Sequence, residues 1–277
     1  MSKTSHFLGF ILFLIFLTTC NNFNVENGNY SSQTRSIHIQ GFDVFSIDGS
    51  IFEGDGIVKQ LFYHSDYSKN PDIIEVGKIE NGKLFLFLPE FPASKNWITF
   101  HSPKEPTTTF EHCCGSFTTN AVIYSDTVTV YPPDARIISG NHFRLDNGTS
   151  DQYNEWIYIQ FAKLPDISEE IILSGVSQWS LFVYAEKPFT VKGTIIEKNW
   201  HIINYNDYPD YNSENIFDIS STYDVSLNQG WNIIYVNQNF TYDETLDSSF
   251  RTGNLVFTYS TDPSAVNIEN MKWIVYQ

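Results

Sequence analysis

Residues 223–236 read YDVSLNQGWNIIYV, and the alternation in this stretch sets the expectation for the whole chain. Val225 and Leu227 fall on one face of an extended segment, Asn228-Gln229-Gly230 offers a reversal, and Trp231, Ile233 and Tyr235 resume the period of two. The stretch reads as a β-hairpin whose aromatic stripe faces the core. Upstream, short bursts rich in Phe, Ile, Val, Thr and Tyr recur at 57–63, 84–88, 97–100, 121–124 and 128–131, after an alternating start at Ile37 and Ile39. A second series covers 156–161, 171–173, 181–184, 189–196, 202–205, 255–259 and 272–275. Glycine, proline and Asx residues punctuate both series, and Asn81-Gly82 stands immediately before a burst, where both residues tolerate the positive φ of a tight hairpin turn. No segment keeps a helical period for three turns.

These features predict an all-β protein of antiparallel, sandwich-like architecture, because a parallel sheet would need helices between its strands. The pattern weakens around Pro132-Pro133, Gly140 and Asn147-Gly148, so residues 132–155 are expected to separate a sandwich-like unit at 36–131 from a second at 156–277. The two halves show no fixed sequence period.

The first residues read differently. An apolar run occupies residues 8–17, half of what a bilayer-crossing helix needs, with Lys3 before it and no acid before Glu26. It reads as the core of an export signal covering 1–19. At its end, Leu17-Thr18-Thr19-Cys20 resembles the lipobox of bacterial lipoprotein precursors, with Thr19 standing where Gly, Ala or Ser is usual. The resemblance implies that Cys20 is the lipidated residue, carrying diacylglycerol on its thiol and an acyl chain such as palmitate on the new amino terminus. Several acyl chains together make a stable membrane anchor. The Asn-, Ser- and Gly-rich stretch within 20–35 then serves as a flexible tether. Phe182-Val183-Tyr184, Val191-Lys192-Gly193, Gly230-Trp231-Asn232 and Met271-Lys272-Trp273 are similar to short motifs of uncharacterised β-rich lipoproteins of spirochaete-like bacteria. That resemblance implies location and fold, with no catalytic residue to carry over. The sequons at Asn29, Asn147 and Asn239 would matter only in a eukaryotic secretory pathway, a setting the lipobox argues against.

Charge narrows the partners. The chain has 16 basic and 32 acidic residues, a formal net charge of −16, without a basic cluster, so nucleic acid is excluded as a partner. Hydrophobic residues make up 42% and charged residues 17%, a globular composition and not that of an acidic tail. With Cys20 assigned to lipid, the adjacent Cys113 and Cys114 remain, read either as a redox pair or soft metal site with His112 and His101, or as two thiols in a loop or strand end.

No G-x-S-x-G elbow, Walker loop, G-x-G-x-x-G cradle or H-E-x-x-H helix occurs. Two weaker constellations remain. Asp48, Glu53 and Asp55 lie among glycines as a calcium loop could place them, or serve as an acidic turn; no other cofactor is suggested. Trp200, Tyr205, Tyr208 and Tyr211 are interleaved with Asn and Asp, so their rings can stack on sugars while amides and acids bond hydroxyls, or can pack inward. The expectation is a lipid-anchored envelope protein at the outer membrane or cell surface, acting as a binding or structural module for a glycan or protein ligand. The alternative is a secreted or periplasmic glycan-active protein.

Overall fold

The computed structural model describes residues 37–62, 72–88, 97–100, 107–112, 115–139, 142–146, 157–163, 174–205, 213–243 and 250–276. Nearly all of them are in strands. The first group is β1 (Ile37–Ser46), β2 (Gly56–Phe62), β3 (Asp72–Glu80), β4 (Lys83–Leu88), β5 (Ile98–Thr99), β6 (Thr107–His112), β7 (Gly115–Asp126), β8 (Thr129–Tyr131) and β9 (Arg136–Ser139). There follow β10 (His142–Asp146), β11 (Ile157–Lys163), β12 (Ser174–Ala185), β13 (Phe189–Tyr205), β14 (Ser213–Leu227), β15 (Gly230–Tyr242), β16 (Phe250–Ser260) and β17 (Met271–Tyr276). Two single 3₁₀ turns, Pro263–Ala265 and Ile268–Asn270, precede the last strand.

The all-β expectation holds, but the sandwich does not form. Seven strands close into a barrel: β1 pairs with β4, β4 with β3, β3 with β2, β2 with β10, β10 with β11, β11 with β17, and β17 with β1. Closure removes sheet edges, an outcome that alternation along single strands does not distinguish from two stacked sheets. The remaining strands form an arm in the order β6–β7–β13–β14–β16–β15–β12–β9–β5, joined to the barrel where Ala162 of β11 meets Trp179 of β12. Residues 129–139 span its margins, β8 lying on β13 and β9 on β12. Residues 132–155, expected as a boundary, thus contain β9 and β10, and the barrel draws strands from both sides of them.

Local turn chemistry accounts for part of this. Asn81 and Gly82 take φ of 52° and 69° and join β3 to β4 in register, as expected. The reversal at 228–230 also occurs, with Gly230 at φ 99° and the Asn232 side chain bonded to Asn228 on both its amide and carbonyl at 2.7 Å. Its two arms are not partners, however. β16 lies between them, parallel to β14 and antiparallel to β15, so the expected hairpin is a chain reversal around an inserted strand.

One hydrophobic core runs through both parts. From Trp179 to Ala185 every β12 residue is buried, as in a strand covered on both faces. Phe182 of β12 meets Phe143 of β10 edge-to-face at 4.9 Å, and both rings lie within 6.5 Å of Trp273 of β17.

Candidate functional site

The inward face of β13, β14 and β16 changes character along its length. At one end Phe189, Val191, Val225 and Leu227 make it apolar; towards the other it becomes polar, with Ser221, Glu197, Asn199 and Asn215 all buried. Strand register explains their meeting. Asn199 is opposite Phe217, so Asn215 is its diagonal neighbour, about 7–8 Å away between backbones. Asn215 lies directly beside Arg251 of β16.

Glu197 is 3% exposed and accepts a 3.1 Å hydrogen bond from Asn199 Nδ2. That bond fixes which way the Asn199 amide points, and its Oδ1 is left with no hydrogen-bond partner; Asn215 Nδ2 has none either. An unsatisfied buried amide atom costs about 1–3 kcal/mol, and two beside a buried carboxylate are unusual unless a further molecule completes them.

The tyrosines nearby register the same surroundings. Tyr223 and Tyr259 stack at 4.7 Å with an interplanar angle of 8°. Burial pushes Tyr223 up to about 12, with the negative charge of Glu197 adding to the effect and a Ser221 hydrogen bond opposing it. Tyr259 is raised well above its ordinary value by burial, Tyr223 and Glu197. Tyr242 is pushed up to about 12 by burial against the opposing charge of Arg251, whose own pKa burial lowers. This end of the arm therefore holds a carboxylate, two amides, a half-buried guanidinium and the neutral phenol of Tyr242, a set suited to hydrogen-bonding a polar guest.

The sequence candidates fall in several places. Trp200 follows Asn199 but faces the other side of the sheet, half-buried, with Lys198 Nζ 6.0 Å from its ring centroid. Tyr205 is the last residue of β13. Tyr208 and Tyr211 lie outside the described residues, as do Cys20, Cys113 and Cys114. The stretch carrying Tyr208 and Tyr211 nevertheless connects β13 to β14 at the polar end.

Asp48 accepts hydrogen bonds from the Ser50 hydroxyl at 2.7 Å and amide at 2.9 Å, which hold its carboxyl below the usual range. Asp55 accepts from the Asn81 amide at 2.7 Å, and Glu53 is exposed. Two of the three carboxylates thus cap turns, and among the described residues no three His, Cys, Asp or Glu side chains gather to hold a metal.

Glu197, Asn199, Asn215 and Arg251 were not legible as a site. In 195–201 the polar residues alternate with Ile196, Lys198 and Trp200, a pattern that ordinarily puts the acid and amide outside. Here the sense is reversed, Glu197 being buried while Ile196 is 45% exposed. No protein-family model, curated protein or solved structure matches the chain.

Proposed function

We propose that this chain is an exported envelope lipoprotein, held at the outer membrane or cell surface through acylated Cys20, and that its body is a module binding a small hydroxyl-rich ligand such as a glycan end. The observation that carries the binding reading is the buried Glu197–Asn199–Asn215 group, with one unsatisfied acceptor and one unsatisfied donor on neighbouring strands. A sugar hydroxyl both donates and accepts, so a ring bearing two of them satisfies Asn199 Oδ1 and Asn215 Nδ2 together.

Binding is preferred to hydrolysis. Glycoside cleavage uses two carboxylates about 5–10 Å apart, and among the described residues Glu197 is the only buried acid. The leader, the polar tether and the acidic body support an extracytoplasmic location.

Two experiments separate the parts of this reading. Palmitate labelling of the full chain and its Cys20→Ala variant in a lipoprotein-processing host is expected to mark only the former; equal labelling removes the anchor. Calorimetric titration with a panel of oligosaccharides is expected to find a ligand whose affinity falls at least tenfold in Asn215→Leu while the fold is retained. Undiminished binding by that variant would show that the polar group is not the site.

A further inference from the structure

The polar group on β13, β14 and β16 is divided by sign as well as by strand. Its member nearest the apolar end is Glu197, whose neighbour across the sheet is Ile219 and, one strand further, Leu255, both fully buried. Aliphatic walls screen a charge poorly, so the field of this carboxylate carries further than it would in water. It is felt at Tyr223 and Tyr259, two steps along the same face, where it adds to burial in raising both phenols.

Asn199 continues the row. Its Nδ2 donates to Glu197 at 3.1 Å, which leaves Oδ1 on the side of the amide away from the carboxylate and without a hydrogen-bond partner. Whatever completes that atom must therefore donate. A nitrogen bonded to Oδ1 lies about 6–8 Å from the Glu197 carboxylate, within reach of its charge in a buried setting. Glu197 acts here through its charge and not through a vacant lone pair. Asn215, the diagonal neighbour on β14, presents an unsatisfied donor instead, and Arg251 beside it adds positive charge. The face thus runs from accepting and negative at Glu197 and Asn199 to donating and positive at Asn215 and Arg251.

We propose, building on the reading of this group as a site for a hydroxyl-rich ligand, that the guest is an amino sugar with its ammonium group on Asn199 Oδ1 and a ring hydroxyl on Asn215 Nδ2. An ammonium group has three donors and no acceptor, which suits a position where the protein offers an acceptor. A hydroxyl there would bring its own lone pairs into the field of a carboxylate. Charge supplies the second reason, because a hydrogen bond from a charged donor is about twice as strong as a neutral one, and stronger still where water is excluded. The backbones of Asn199 and Asn215 stand about 7–8 Å apart, a gap that one sugar ring with its substituents spans.

The polarity of the row also orients the guest. Arg251 disfavours a second ammonium group at the outer side, so one amine per ring is preferred. Acetylation removes the charge and adds bulk at the buried side, so an acetamido sugar is the weaker ligand. At a net charge of −16 the whole body attracts cations, and that general attraction has to be told apart from recognition by Glu197.

Calorimetric titration of the full chain carrying Cys20→Ala with methyl glycosides of glucosamine, N-acetylglucosamine and glucose, and with their galacto counterparts, tests this at mildly acidic pH. In at least one series the amine is expected to bind about tenfold tighter than the acetamide and the hydroxyl, the usual worth of a charged over a neutral donor. Methylammonium, which an acidic surface attracts equally, is expected not to compete. In Glu197→Gln, with folding checked by the thermal midpoint, the advantage of the amine is expected to fall below about threefold. Equal or tighter binding of the acetamide or hydroxyl glycoside, lost in Asn215→Leu, would overturn the amino-sugar assignment and leave the hydroxyl-ligand reading standing. So would an advantage that survives in folded Glu197→Gln or is matched by methylammonium. Binding of no member of either series would overturn both readings. If Glu197→Gln does not fold, the wild-type series with methylammonium decides alone.

Discussion

Replacing Phe143 by alanine asks whether barrel and arm fold as one body. Phe143 is buried on β10, edge-on to Phe182 of β12 at 4.9 Å and 6.5 Å from Trp273 of β17. One ring thus touches the arm strand that joins the barrel and the strand that closes the barrel. Removing a buried phenyl group costs about 3–5 kcal/mol, the loss of transfer energy plus the cavity left behind. For a body of this size each kcal/mol moves the melting midpoint about 2–4 °C, so the variant is expected to melt about 6–20 °C lower. Urea unfolding followed by tryptophan fluorescence and by far-ultraviolet circular dichroism is the assay. Both probes are expected to report a single transition displaced by the same amount. A double-mutant cycle of Phe143→Leu with Phe182→Leu is expected to show a coupling of about 0.5–1.5 kcal/mol, the usual worth of an edge-to-face pair beyond area. Two separate transitions of which only one moves, or a loss below about 1 kcal/mol, would refute the single-core reasoning.

Three other outcomes follow from local geometry. Asn215→Leu removes an unsatisfied buried amide donor and is expected to raise the unfolding free energy by about 1–2 kcal/mol in urea titrations, even while ligand binding is lost. Tyr242 has a folded pKa near 12 against about 10 when unfolded, so its contribution is complete below pH 10 and is lost as pH rises towards 12. Denaturation midpoints are expected to fall over that window, with Tyr242→Phe flattening part of the decline. Gly77→Ala would set a Cβ 2.0 Å from the Phe85 carbonyl oxygen on the neighbouring strand, a backbone atom that cannot step aside. It is expected to cost more than about 2 kcal/mol by urea titration and to loosen amide protection along β3 and β4.

Much of the strand content was legible because alternation and turn residues are local properties. Asn81-Gly82 is the clearest case, its two positive φ angles and the pairing of Glu80 with Lys83 following from residue type. The reversal at Asn228-Gln229-Gly230 was equally legible, yet the partners of its arms were not. Which strand enters between β14 and β15 is decided by the inward row Phe217, Ile219, Leu255 and Phe257, residues far apart in the chain that bury one another only after assembly. The candidate site failed for a related reason. Alternation at 195–201 shows that Glu197 and Asn199 share a face opposite Ile196, but not which face is covered. Coverage came from strands on either side, and it ran against polarity.

The placement of β17 bears on how such a chain can be made. It is preceded by every other strand, yet it occupies the gap between β1 and β11. A polypeptide emerging amino end first from a ribosome, or threading through a membrane channel, has its first four strands long before residues 271–276 arrive to seal them. Until then the cylinder stays open along a seam, and β1 offers its unbonded flank to whatever is nearby. A reading frame cut short before Met271 would therefore yield no smaller working protein. It would yield a sheet that cannot finish, a species to be held by chaperones, cleared by proteases or lost to aggregation.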